Sequence, residues 1–133
     1  MAEFLMKDLV DKNRLNDRFN ICSSATSSEE LGSPVHYGTA NVLRRLGIDY
    51  SKKRATTLKA SDFDKYDYFV CMDDANLRNA KRILGRDDGK IVKLLHFAGK
   101  DRDVADPYWT GDFSETYNDI LEGLNGLLKF LLK

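Results

Sequence analysis

Tyr66-Asp67-Tyr68-Phe69-Val70-Cys71-Met72-Asp73-Asp74 is the stretch on which the fold turns. Residues 66–72 are aromatic and β-branched, and toward their end apolar on both faces. That pattern is expected of a buried parallel strand rather than of one with a wet face. Asp73-Asp74 then stops the strand and caps a helix that runs through Ala75, Leu77, Ala80, Ile83 and Leu84 and ends at Gly85. Asp87-Asp-Gly-Lys90 reads as a turn, and Lys90-Ile-Val-Lys-Leu-Leu95 as the next strand.

Working toward the C-terminus, residues 96–110 are irregular. The final helix opens at Asp112 or Ser114 and carries Phe113, Tyr117, Ile120, Leu121, Leu124, Leu127, Leu128 and Leu131 on one side. Working toward the N-terminus, Ser61-Asp-Phe-Asp64 suggests a short helical turn. Ser33-Pro34 opens a helix with Val35, Val42, Leu43 and Leu46 that stops at Gly47. Residues 23–33 form a Ser/Thr-rich loop, and Arg18-Phe-Asn-Ile-Cys-Ser23 is a short strand candidate. Residues 1–12 make an amphipathic helix with Phe4, Leu5, Leu9 and Val10 opposite Lys7, Asp8, Asp11 and Lys12. The order helix, strand, helix, strand, helix, strand, helix implies a parallel sheet with helices on both faces. A site in such a fold is expected beyond the carboxyl ends of the strands.

The 133 residues suit one domain, residues 1–133. Lys+Arg and Asp+Glu both number 21, so composition gives no hint of nucleic acid or of a charged partner. No apolar run approaches the roughly 20 residues of a membrane span, and residues 1–10 lack the layout of a signal peptide. Cys22 and Cys71 are therefore expected as reduced thiols in the cytoplasm. His36 and His96 stand far apart without a partner at ligand spacing, so no metal and no cofactor is expected.

Five segments resemble, in order and spacing, the low-molecular-weight protein tyrosine phosphatase family. They are the opening helix Met1–Met6; Cys22-Ser-Ser-Ala-Thr-Ser-Ser28 with Leu31-Gly32 and Pro34; Arg44-Arg-Leu-Gly-Ile48 with Ser51; Asp62-Phe-Asp-x-Tyr-Asp-Tyr68 with Met72-Asp73 and Asn76-Leu-Arg78; and Asp106-Pro-Tyr-Trp109 with Gly111-Asp-Phe113. The resemblance implies a three-layer αβα fold with a short parallel sheet, of flavodoxin-like type, with its first strand missing. It also implies hydrolysis of a phosphotyrosine protein or an aryl phosphate through a cysteinyl-phosphate. The thiolate and arginine of that chemistry sit in a Cys-x5-Arg loop at a helix N-terminus. No such sequence occurs in residues 1–133: Ser28 stands six positions after Cys22 and Leu77 six after Cys71. The resemblance places the loop and its strand before Met1, about fifteen residues by ordinary element lengths. The chain as given is then expected to be inactive.

The remaining site residues follow from the same resemblance. Asp106 matches the general acid and base, with Pro107 biasing it toward an extended conformation; the plain alternative is an Asp-Pro turn. Tyr108 and Trp109 match the aromatic pair that stacks on the substrate ring, or else pack the loop. Glu29 stands where the family often has an aromatic on the opposite wall. Ser23 matches a serine that orders the phosphate loop, and Lys52 lies near a position often held by histidine in the same network. Asp73 matches an acid beside the cleft, and is equally a helix N-cap.

In that family the absent strand lies inside a four-stranded sheet, between residues 18–23 and 66–72. Buried unpaired strand groups cost about 1–3 kcal/mol each. The two flanking strands are thus expected to close up, to accept a strand from another chain, or to pair edge to edge in a dimer. Two other functions stay open: a non-catalytic binding or oligomerisation module, and an arsenate-reductase-like relative. The second is disfavoured because such enzymes use additional cysteines.

Overall fold

A computed structural model describes residues 1–26, 42–48, 56–105 and 113–132. Helix α1 spans Ala2–Lys12, strand β1 Phe69–Cys71, helix α2 Asp74–Leu84, strand β2 Ile91–Lys93 and helix α3 Phe113–Leu131. Turns of 3-10 helix occupy Asn16–Arg18, Ala60–Lys65 and Leu94–Ala98.

β1 and β2 pair in parallel, with Phe69 opposite Ile91, Val70 opposite Val92 and Cys71 opposite Lys93. Side chains alternate along a strand, and here the alternation divides the core. Phe69 and Cys71 join Leu58, Phe63, Ala80, Leu84 and Ile91 beneath α2. Val70 and Met72 face the other way, into the cluster built by α1, α3 and the buried pair Leu94 and Leu95. One helical layer therefore covers each face of the sheet, the three-layer α/β arrangement expected.

Local chemistry fixes the element ends. Asp73 accepts a hydrogen bond from the Asn76 amide at 2.7 Å, and α2 stops at Gly85 with φ 68. α1 starts at Met1 without a side-chain cap and is braced by Lys7–Glu3 and Lys12–Asp8 pairs one turn apart.

α3 seats on the segment 94–105 through Gly123 and Gly126. A Cβ at Gly123 would stand 2.5 Å from the Leu94 side chain; one at Gly126 would overlap the carbonyl oxygen of Phe97. Both glycines are required by close approach, not by turn geometry.

Three expectations are corrected. β2 is shorter than 90–95, because Leu94 and Leu95 already belong to the 3-10 turn Leu94–Ala98. β1 is shorter than 66–72, because Ala60–Lys65 forms a 3-10 turn that Tyr66 terminates. The strand candidate 18–23 forms no ladder: its first residue ends a 3-10 turn, and residues 19–24 are irregular. Among the described residues the parallel pairing nearby is a bridge between Ala25 and Thr57, with Ala25 N–H donating to the Thr56 carbonyl at 2.6 Å. A strand needs a neighbour for its N–H and C=O groups. Among the described residues β1 pairs with β2, so direct closure of 18–23 onto β1 does not occur. The start of the helix expected from Pro34 lies outside the described residues; its last turn, residues 42–45, is helical and buries Val42 and Leu43.

Candidate functional site

The carboxyl ends of β1 and β2 are bridged by residues 102–105. Val104 N–H donates to the carbonyl of Met72, the residue after β1, at 2.9 Å. Lys93, the last residue of β2, places its Nζ 2.9 Å from both Asp103 Oδ1 and Asp74 Oδ1. Asp103 Oδ1 also accepts from the Asp74 amide at 3.1 Å. The two carboxylates raise the Lys93 ammonium above its usual range, Asp74 contributing most. This lysine ties the ends of β2, α2 and the 102–105 segment together.

The same segment is held from the other side by α3. Arg102 makes a two-pronged contact with Asp119, at 2.9 and 2.8 Å. Asp119 Oδ2 also accepts from Ala105 N–H at 3.0 Å, and Thr116 Oγ1 donates to Ala105 C=O at 2.7 Å. Thr116 and Asp119 are the buried polar residues of the described core, at 7% and 6% exposure. The Arg102 bonds hold the Asp119 carboxyl below the ordinary carboxylate range. The chain thus arrives at residue 106 with both backbone polar groups of Ala105 satisfied by side chains of one helix.

Of the residues singled out in the sequence, Asp106, Tyr108, Trp109, Glu29, Lys52 and His36 lie outside the described residues. Ser23 is exposed; its Oγ donates to Glu3 Oε1 in the first turn of α1 at 2.5 Å, and its carbonyl accepts from Thr56. Glu3 is also paired with Lys7. Asp73 acts as the N-cap of α2. Ser23 and Asp73 therefore have different partners.

The two thiols differ sharply. Cys71 is 8% exposed in the core beneath α2. Burial, helped by the nearby Asp73 carboxylate, pushes its pKa up to about 11. Cys22 is exposed, with its Sγ 3.9 Å from Asn20 Oδ1. Its neighbourhood includes Tyr66, whose phenol is raised chiefly by the hydrogen bond with that thiol. Among the described residues no group of three or more His, Cys, Asp or Glu could hold a metal ion, and no helix is long and apolar enough to cross a membrane.

Sequence reading missed Arg102, Thr116, Asp119, Gly123 and Gly126. The signal was present: Thr116, Asp119, Gly123 and Gly126 fall three, four and three residues apart, one stripe of a helix. Polar and small residues beside an apolar face mark close backbone approach.

The family profile described as low molecular weight phosphotyrosine protein phosphatase matches residues 1–133. A low molecular weight protein-tyrosine-phosphatase PtpA of Staphylococcus haemolyticus is 33% identical over 135 residues, covering 100% of this chain and 85% of the relative. The crystal structure of YfkJ from Bacillus subtilis superposes with a TM-score of 0.92 at 31% identity, over 98% of this chain and 84% of that one. The low molecular weight protein tyrosine phosphatase SP-PTP of Streptococcus pyogenes gives 0.87 at 35% identity, over 99% and 83%.

Proposed function

The chain belongs to the low molecular weight phosphotyrosine protein phosphatase family, and from that premise we propose that residues 1–133 supply the acid, the substrate walls and the scaffold for phosphotyrosine hydrolysis but not its nucleophile. In the proposed reaction a thiolate forms an S–P bond while the P–O(aryl) bond breaks. The Asp106 carboxyl gives its proton to the departing phenol oxygen. Water then attacks phosphorus, its proton returns to the Asp106 carboxylate, and the S–P bond breaks to release phosphate. Tyr108 and Trp109 wall the ring, and Glu29 opposite them favours a basic residue beside the phosphotyrosine. Ser23 and Asp73 support the rim. No metal or cofactor enters this scheme.

The observation that carries the reading is the state of the two thiols. A nucleophilic cysteine needs a depressed pKa, an arginine partner and access. Cys71 has a raised pKa and is buried. Cys22 is accessible but followed by serine, not arginine, at the sixth position. Free thiols on both fit a reducing compartment such as the cytoplasm.

The test has two arms. The 133-residue chain incubated with nitrophenyl phosphate should release no nitrophenol above buffer and trap no phosphocysteine on acid quench; iodoacetamide at pH 7.5 should modify Cys22 and spare Cys71. Turnover lost on alkylation would overturn the reading. The chain extended upstream of Met1 by a strand and a Cys-x5-Arg loop of the kind the family resemblance implies should hydrolyse nitrophenyl phosphate.

A second reading, a binding module, is favoured by β1, which among the described residues has a ladder on one edge. It expects a second copy or an added strand on the other edge. A particle of monomer size by sedimentation, unchanged on adding an excess of that strand as a peptide, would exclude it.

A further inference from the structure

The assignment of Asp106 as acid leaves open what aims it. A general acid must bring its proton within hydrogen-bond reach of one oxygen, and an error of about 1 Å is costly. Irregular chain does not hold such a position unaided. The residue before Asp106 has its N–H donated to Asp119 Oδ2 at 3.0 Å and its C=O accepting from Thr116 Oγ1 at 2.7 Å. Both partners are buried on the long helix α3. Arg102 fixes the rotamer of Asp119 with two bonds, and further along the same helix Gly123 and Gly126 lie close against Leu94 and Phe97. Val104 is meanwhile anchored to Met72 at the end of β1.

We propose that Thr116 and Asp119 are positioning residues for the phosphatase reaction: by clamping the backbone of Ala105 to α3 they set where the carboxyl group of Asp106 meets the departing phenol oxygen. The proposal rests on the reading of Asp106 as the acid. It makes a claim about substrate that a merely structural role would not. Protonation matters for a poor leaving group such as phenol and little for a good one such as dinitrophenol. Loosening the clamp therefore penalises the two unequally.

The first experiment uses the 133-residue chain and needs no activity. Hydrogen–deuterium exchange is followed for residues 101–105 in the parent, Asp119→Asn, Thr116→Val and Thr116→Ser. Exchange there should accelerate at least tenfold in Asp119→Asn and Thr116→Val, with α1 and α2 unchanged, and stay near the parent in Thr116→Ser, which keeps the hydroxyl. Unaltered protection at 101–105 in the first two variants overturns the clamp. The second experiment uses the extended, active chain. Asp119→Asn should lower kcat/KM, which reads the step that expels the leaving group and not the later hydrolysis, at least tenfold for phenyl phosphate and less than threefold for dinitrophenyl phosphate, with Thr116→Ser near the parent on both. Equal losses on both substrates overturn the positioning role. The failure of the acid assignment itself reads differently: Asp106→Asn would then show no leaving-group preference.

Discussion

Residues 102–105 and residues 19–25 are both irregular chain, yet they are held by different means. The first run is fixed from a helix and a strand end, with buried Thr116 and Asp119 on Ala105 and the Met72 carbonyl on Val104. The second is tied through exposed Ser23 to Glu3 and through one isolated bridge at Ala25. Backbone without a ladder is ordered when a neighbouring helix spends core positions on polar side chains. A sequence that looks like a strand becomes one only if an adjoining strand takes its hydrogen bonds.

The largest test of this difference is Gly126→Ala. The new methyl group would fall on the Phe97 carbonyl, with the carbonyl carbon at 2.6 Å. Backbone cannot step aside, so overpacking of about 1–3 kcal/mol or more exceeds the helix-propensity gain of about 1 kcal/mol. The urea midpoint should fall clearly. Gly123→Ala should also destabilise, since it meets the fully buried Leu94 at its branch carbon, but less than Gly126→Ala because the obstacle is side chain and not backbone. An equal cost at both sites would mean that the 94–98 turn is not rigid.

Asp119→Asn comes next. It weakens the acceptor for Arg102 and for the Ala105 amide, at a cost of about 1–3 kcal/mol. Its folded pKa is depressed, so the carboxylate stabilises the fold above its unfolded pKa of about 3.9 and loses that effect as pH falls through the lower folded value. The gap in urea stability between parent and variant should hold from pH 7 to 5 and narrow at pH 3. A gap that does not change with pH would show that the charge is not its source.

Ser23→Ala should be the smallest. Ser23 is exposed, but the Glu3 side chain it serves is 7% exposed and keeps its Lys7 partner, so the change should cost about 1 kcal/mol by urea melt. A loss as large as that of Asp119→Asn would erase the contrast between the two regions.

Much of the fold was legible because its signals are local. Asp73 and Gly85 delimit α2 through their own side-chain and backbone preferences. The apolar periodicity of residues 113–131 specifies α3. The order of elements gives a parallel sheet. The candidate site was legible in part: the Asp106 motif stands out by resemblance, whereas the clamp beside it did not. Arg102 and Asp119 are seventeen residues apart, and nothing in either residue's surroundings names the other.

The sequence by itself determined the α/β class, the family and the absence of any Cys-x5-Arg in residues 1–133, because each is written in residue type and spacing. The tertiary structure alone decided that residues 18–23 form no ladder and that α3 grips the backbone of Ala105, whereas the burial of Cys71 was already written in the apolar strand that carries it. Pairing and long-range hydrogen bonds depend on which groups meet in space, and chain order does not specify that.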